Sequence, residues 1–244
     1  MKENTVSHYT LIVKRHFLLY NIKNVLLVVL MQEIILRQSS PEIMLLCQRD
    51  KRLGKLISAI GDLTYTIPDD DYAFMIHEII EQMLSVKAGR AIYGRFVDLC
   101  DGTVSPDRVS ALTDDQIKGI GTSRPKVRCI REFTDYVSAG CFDKTQFLSM
   151  SDSEIIESLT RVRGIGNWTA KMYLIFVMNR KNVLPFEDRA FLQVFSWLYN
   201  TQNCQPDVVQ KKCKKWRPYS SYAARYFYRA LDMGMTNEEF HLYK

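Results

Sequence analysis

Six cysteines in 244 residues, at positions 47, 100, 129, 141, 204 and 213, include no Cys-x-x-Cys pair. Such scatter excludes a zinc knuckle and a disulfide framework and suits a reducing compartment inside a cell, cytoplasmic or nuclear. Histidine is scarce as well, with four residues in all, and His8, His16 and His241 are isolated. His77-Glu-Ile-Ile-Glu81 comes near a zinc-binding helix, but a glutamate stands where the second histidine is needed. No third ligand is suggested, so zinc is not expected. There is no unbroken apolar run of membrane-spanning length. The densest, Val25–Met31, lies within a stretch from Phe17 to Leu36 broken by Asn21, Lys23, Asn24 and Glu33. That stretch is too polar and too short for a membrane span, and no small-residue cleavage site follows it to mark a secretory signal. Sustained alternation of apolar and polar residues is missing, so no sheet is expected. The segment Gly164-x-Gly166-x-x-Thr169 lacks the third glycine and the preceding strand of a dinucleotide site, and no organic cofactor is implied.

What is present is a moderate excess of base: a formal charge of +6 and a pI near 8.9, with 25% charged residues. This permits a nucleic-acid or anionic-membrane partner without requiring one. The length fits one large domain or two small lobes. Residues 1–40 are of uncertain role, either a helix or strand docked on the body or a dispensable extension. A membrane-anchored version using residues 17–36 would need detergent to dissolve.

From Ser40-Pro41 onward the pattern is helical. Ile43, Leu46, Leu53, Leu56, Ile57 and Ile60 recur at three- and four-residue steps behind an N-cap and first-turn pair. A second helix follows Pro68-Asp-Asp-Asp71 and runs to Gln82-Met-Leu-Ser85, and a third runs from there through Phe96. Between residues 105 and 171 the chain echoes itself. Leu112-Thr-Asp-Asp-Gln-Ile117 leads to Ile120-Gly-Thr-Ser-Arg-Pro-Lys126, and Met150-Ser-Asp-Ser-Glu-Ile155 leads to Ile165-Gly-Asn-Trp-Thr-Ala-Lys171. Each copy opens on a capping box and closes on Ile-Gly before another helix. Two copies are too few for a solenoid and read as two helix-turn-helix units.

The second copy carries the most chemistry. Gly164 and Gly166 flank Ile165 between two apolar-periodic segments, which reads as a tight hairpin between helices. The amides that open the second helix can take a phosphate, reinforced by Arg161, Arg163 and Lys171. Asp188 follows Trp168 by twenty positions, which leaves room for one helix, a turn and the start of another. An aspartate there is either a helix N-cap or a catalytic carboxylate. The run Lys211-Lys-Cys-Lys-Lys215 is a solvated face or a phosphate contact.

The Gly-Ile-Gly-x-Trp-Thr-Ala run at 164–170, Pro-x-Glu-Asp at 185–188 and Trp-x-Pro-Tyr-x-Ser-Tyr-Ala from Trp216 resemble the helix-hairpin-helix DNA glycosylases, specifically the 3-methyladenine DNA glycosylase II branch. The resemblance spans roughly residues 41–230. It implies an all-α fold of two helical lobes, with a helix-hairpin-helix motif and a DNA and active-site cleft between them. The lobes expected are residues 105–190, carrying the hairpin, and residues 41–104 together with 191–244. The β-rich domain that opens larger relatives has no space before the shared core.

The activity implied is hydrolysis of the N-glycosidic bond of alkylated purines, 3-methyladenine foremost, in damaged double-stranded DNA during base excision repair, by a monomer. Asp188 becomes the catalytic acid: loss of the base builds positive charge on the sugar, and a fixed carboxylate stabilises it or orients water. Bifunctional relatives hold a Schiff-base lysine where Trp168 stands, so the enzyme implied is monofunctional. Met83 matches the residue that fills the gap left by the flipped nucleotide, with ordinary core packing as its alternative. Trp168, Met172 and Tyr228 match the base pocket, Met172 replacing a tyrosine, and aromatic faces suit electron-poor alkylated purines. Arg163, Gly164, Ile165, Gly166, Asn167, Thr169 and Lys171 match the DNA-binding hairpin. The carbonyls of Thr160, Val162 and Gly164 match a monovalent-cation site. Some relatives carry a four-cysteine iron-sulfur cluster after the catalytic region, but here only Cys204 and Cys213 lie there, so no cluster is expected. Two other readings stay open: a glycosylase for deaminated or oxidised purines, and a non-catalytic DNA-binding module.

Overall fold

Periodic helices with capped starts account for most of the architecture in the computed structural model, which describes residues 33–241. The chain divides into two units. One comprises the segment up to Pro68 and the segment from Lys181 onward, and the other is Asp69–Arg180. The expectations for residues 1–32 lie outside the described residues.

Among its described residues the first unit holds two strands, β1 (Glu33–Leu36) and β2 (Leu63–Thr66), and five α-helices: α1 (Pro41–Arg49), α2 (Lys51–Ile60), α11 (Arg189–Tyr199), α12 (Pro206–Cys213) and α13 (Ser220–Asp232). The strands pair antiparallel, with Glu33 opposite Thr66 and Leu36 opposite Leu63. This small sheet corrects the expectation of no sheet, while the fold is all-α as expected. Each strand is four residues long, and in β2 Leu63 and Tyr65 are buried while Thr64 is exposed. Four residues are too few for alternation to stand out from the flanking helical pattern. Buried Arg225 lies 3.7 Å from the centre of the Tyr65 ring and fastens α13 beneath the sheet.

The helix expected from Ser40 to Ile60 is divided in two at Asp50. The Asp50 carboxylate accepts the amides of Arg52 and Leu53, which starts a new helix. It is buried and also receives Trp216 Nε1 at 2.9 Å, Lys215 Nζ at 2.9 Å and the Tyr199 hydroxyl. These donors outweigh the cost of burial and hold its pKa below the usual value. Two lysines of the basic run are thereby engaged within the protein, since Lys212 Nζ stands 4.9 Å above the Tyr199 ring. Phe191, Trp216 and Phe227 form the aromatic centre of the unit, with ring centroids 5.0–6.2 Å apart. Burying each such ring contributes about 2–3 kcal/mol.

The second unit is entirely helical among its described residues: α3 (Asp71–Glu81), α4 (Val86–Leu99), α5 (Pro106–Ala111), α6 (Asp114–Gly119), α7 (Arg124–Ser138), α8 (Lys144–Ser149), α9 (Asp152–Thr160) and α10 (Asn167–Phe176). Residues 69–104 group with this unit, where the sequence reading set them apart. The cause is α3, which packs on α4, α7 and α10. Asp71, in its first turn, accepts the Tyr173 hydroxyl at 2.7 Å and pairs with Lys144 at 2.8 Å. The internal echo holds at its capping boxes but not at its Ile-Gly ends, because Gly121 has a positive φ while Gly166 is extended. The Thr113–Gln116 and Ser151–Glu154 capping boxes both form, and each following turn contains a glycine with positive φ, Gly121 at 105° and Gly164 at 97°.

Candidate active site

In the unit of residues 69–180 the site is built on the hairpin joining α9 to α10. Gly164 takes a left-handed conformation that a side chain resists, and an added Cβ would meet the Cβ and Sγ of Cys129 at 2.9 Å. The turn therefore lies directly on α7. The Arg163 amide donates to Glu132 Oε2 at 3.0 Å, which pins the turn further. Gly166 is different. Its backbone is extended, nothing lies within 4 Å of an added Cβ, and it offers α10 no side-chain cap. Its smallness therefore opens the amide end of α10 to an approaching group rather than allowing an unusual backbone.

The expected hairpin residues separate by exposure. Arg163, Gly164, Gly166 and Asn167 are exposed, and the Arg163 side chain is 81% exposed with a 3.8 Å pairing to Glu132. Ile165, Thr169 and Lys171 are buried, Lys171 being only 8% exposed. Lys171 therefore does not face phosphate or solvent. Every residue of α10 from Thr169 on is buried, because this short helix packs on both α3 and α9. Trp168 is half-buried in the first turn of α10, and Met172 is fully buried.

The turn after α3 carries Met83, and the structure removes the core-packing alternative for it. The side chain is 90% exposed on a backbone with φ of 59°, so it is no core residue. Leu84 and Val86 are exposed beside it. Gln82, to which the sequence reading gave no role, donates from Nε2 to the Gly164 carbonyl and to Thr169 Oγ1, both at 3.0 Å. Lys126 Nζ donates to the carbonyls of Ile80 and Gln82, both at 2.7 Å. A polar residue ahead of an exposed apolar one hinted at Gln82, but no local pattern links Lys126 to a turn more than forty positions away.

Of the carbonyls matched to a cation site, that of Val162 accepts the Ile165 amide at 3.0 Å and that of Gly164 accepts Gln82. Each oxygen keeps a second lone pair, and a neutral carbonyl set suits a monovalent ion better than a divalent one. Farther along α3, the His77 ring nitrogens each face a carboxylate, Glu78 at 3.3 Å and Glu81 at 3.2 Å. Burial opposes a charge on this ring, but the two carboxylates prevail and raise its pKa to about 9. Among the described residues no group of three His, Cys, Asp or Glu side chains could hold a metal ion. Among them, too, no helix is long and apolar enough to cross a membrane.

In the other unit Asp188 is the N-cap of α11, and its carboxylate accepts the Phe191 amide at 2.6 Å. The side chain is 8% exposed. Its capping role, which the sequence allowed as an alternative, is thus present, and it holds the carboxylate in one position. Tyr228, on α13, is also buried.

Residues 76–218 match the family described as HhH-GPD superfamily base excision DNA repair protein. DNA-3-methyladenine glycosylase 1 of Schizosaccharomyces pombe is 26% identical over 183 residues, covering 73% of this chain and 80% of that protein. The crystal structure of a DNA-3-methyladenine glycosidase from Bacillus halodurans is similar, with a TM-score of 0.74 and 29% identity over 86% of this chain and 97% of that one. A 3-methyladenine DNA glycosylase of S. pombe in complex with abasic DNA shares the fold, with a TM-score of 0.73 and 24% identity over 78% of this chain and 96% of that one.

Proposed function

Given that the chain belongs to the HhH-GPD superfamily of base excision DNA repair proteins, we propose that it is a monofunctional DNA glycosylase, releasing alkylated purines, 3-methyladenine foremost, from duplex DNA by hydrolysis. The observation that carries this reading is Met83, an apolar side chain 90% exposed on a left-handed backbone. Exposure and backbone strain both cost free energy, and both are explained by a side chain that enters the base stack when a nucleotide leaves it. The names of similar proteins, DNA-3-methyladenine glycosylases and a glycosidase, support the same substrate class.

The chemistry follows from few groups. The extruded sugar gains positive charge at C1′ as the glycosidic bond stretches, and the Asp188 carboxylate stabilises that charge and orients or deprotonates water. Its bond to the Phe191 amide fixes the carboxylate beforehand, so little reorganisation is needed in the transition state. Trp168 has no amine to form a Schiff base, so the sugar is released as an intact abasic site. Trp168 and Tyr228 supply aromatic faces for a cationic purine, and fully buried Met172 can only back that pocket from behind. Hairpin amides at Gly164, Gly166 and Asn167, with Arg163, hold the phosphate backbone independently of sequence. Carbonyls of Thr160, Val162 and Gly164 would hold a monovalent cation, adding positive charge beside that phosphate. No other cofactor is required, and the enzyme acts as a monomer on DNA inside the cell, in cytoplasm or nucleus.

The test is incubation with methylated duplex DNA, with free base and strand breaks assayed separately. Free 3-methyladenine with breaks appearing only after alkali is the expected result. Tight duplex binding without base release would leave a DNA-binding module, and release confined to deaminated or oxidised purines would replace the substrate.

A further inference from the structure

The turn that carries Met83 exposes that side chain, at 90%, together with Leu84 and Val86. Met83 is a residue with a Cβ held at φ 59°, a conformation that costs roughly 1–2 kcal/mol. Such a conformation persists only where its surroundings over-determine it. Two polar side chains do so here. Helix α3 ends at Glu81, which leaves its last carbonyls without helical partners. Lys126, two residues into α7 from Arg124, sends Nζ to two carbonyls of this end, Ile80 and Gln82, at 2.7 Å each. Gln82 then reaches the other way: both bonds from its amide nitrogen go to the hairpin, to the Gly164 carbonyl and to Thr169 Oγ1 in the first turn of α10. The main chain of Gln82 is thus tied to α7 and its side chain to the hairpin, on either side of the peptide that leads into Met83.

We propose that Gln82 and Lys126 are positioning residues that lock the wedge turn to the hairpin, so that the element gripping the DNA backbone also sets where Met83 enters the duplex. This rests on the glycosylase reading above. The link is short and polar, and it passes through two hydrogens of one amide, so a hairpin seated on phosphate carries the wedge with it. Lys126 is half-buried, and burial lowers its pKa while nearby Glu81 opposes the shift. Glu81 is itself held by His77 and packs where a Cβ on Gly89 would come within 2.8 Å, so the end of α3 has little freedom.

The experiment is a double-mutant cycle in the full chain with two readouts. Base release from methylated duplex reports excision. Fluorescence of 2-aminopurine placed opposite a tetrahydrofuran abasic site reports wedge insertion. Lys126→Met is expected to bind undamaged duplex within about twofold of the parent protein while losing on the order of tenfold in both readouts. Lys126→Arg, which keeps donors for both carbonyls, restores most of the loss. The double variant Met83→Ala/Lys126→Met is expected to be no slower than Met83→Ala alone. Gln82→Met, which removes both donor hydrogens, runs the same cycle independently and has the same expected result. Multiplying losses in the double variants, or a parallel fall in binding to undamaged duplex, overturns the proposal. If the parent protein releases no base, the glycosylase reading fails on its own account, and the fluorescence arm still decides whether the two side chains position the wedge.

Discussion

The Asp188 carboxylate accepts the Phe191 amide at 2.6 Å, so the side chain that starts α11 is the same one to which the proposed mechanism gives the negative charge. The two roles separate by substitution. Asparagine caps almost as well as aspartate, so Asp188→Asn should keep the fold and duplex affinity while lowering excision by about a hundredfold or more. Asp188→Ala loses the cap too and should also cost about 1 kcal/mol of stability. Single-turnover base release beside thermal melting distinguishes the two losses, and full activity of Asp188→Asn would remove this residue from the mechanism.

The two hairpin glycines should respond differently to alanine. At Gly164 the new methyl meets Cys129 at 2.9 Å on a left-handed backbone, so the variant should lose roughly 1–3 kcal/mol. At Gly166 the backbone is ordinary and the space open, so stability should change by less than about 0.5 kcal/mol. Duplex affinity should nevertheless fall in Gly166→Ala, because the methyl stands where a phosphate must approach. Chemical denaturation and fluorescence anisotropy of the same samples give both numbers.

The Arg163 side chain is 81% exposed and faces Glu132 at 3.8 Å, a surface contact worth about 1 kcal/mol or less. It can exchange that carboxylate for a phosphate at little cost. Duplex affinity should fall steeply with salt, and Arg163→Ala should reduce the slope of log K against log salt by about one without changing sequence preference. Anisotropy titrations from low to high salt measure this directly.

His77 ties stability to pH. Its folded pKa of about 9 lies above the ordinary 6.5, because Glu78 and Glu81 face its two nitrogens. Between those values the folded chain binds the extra proton, so this contribution is complete below about pH 6.5 and is lost as pH rises through about 9. Melting temperature should therefore decline across that window, and His77→Gln should flatten the decline while lowering stability at neutral pH.

The hairpin, both capping boxes and the aspartate that opens α11 were legible in the sequence. Each depends on residues within about four positions of one another, and glycine, hydroxyl and carboxylate side chains act on their own backbone. The burial of Lys171 was not legible, because its surroundings come from α3 and α9 rather than from α10's own periodicity. The break at Asp50 was hidden for a similar reason. Its carboxylate caps locally, but the partners that bury it stand at Tyr199, Lys215 and Trp216.

The sequence by itself determined a helical chain with a twin-glycine turn, a tryptophan just after it and an acid at a helix start. The tertiary structure alone decided that Met83 stands in solvent, that Thr169 and Lys171 do not, and that Gln82 and Lys126 tie the turn before Met83 to the hairpin and to α7. Local propensity acts along one stretch of backbone. Burial and cross-chain hydrogen bonds are set by which segments meet, and that choice belongs to the packed molecule as a whole.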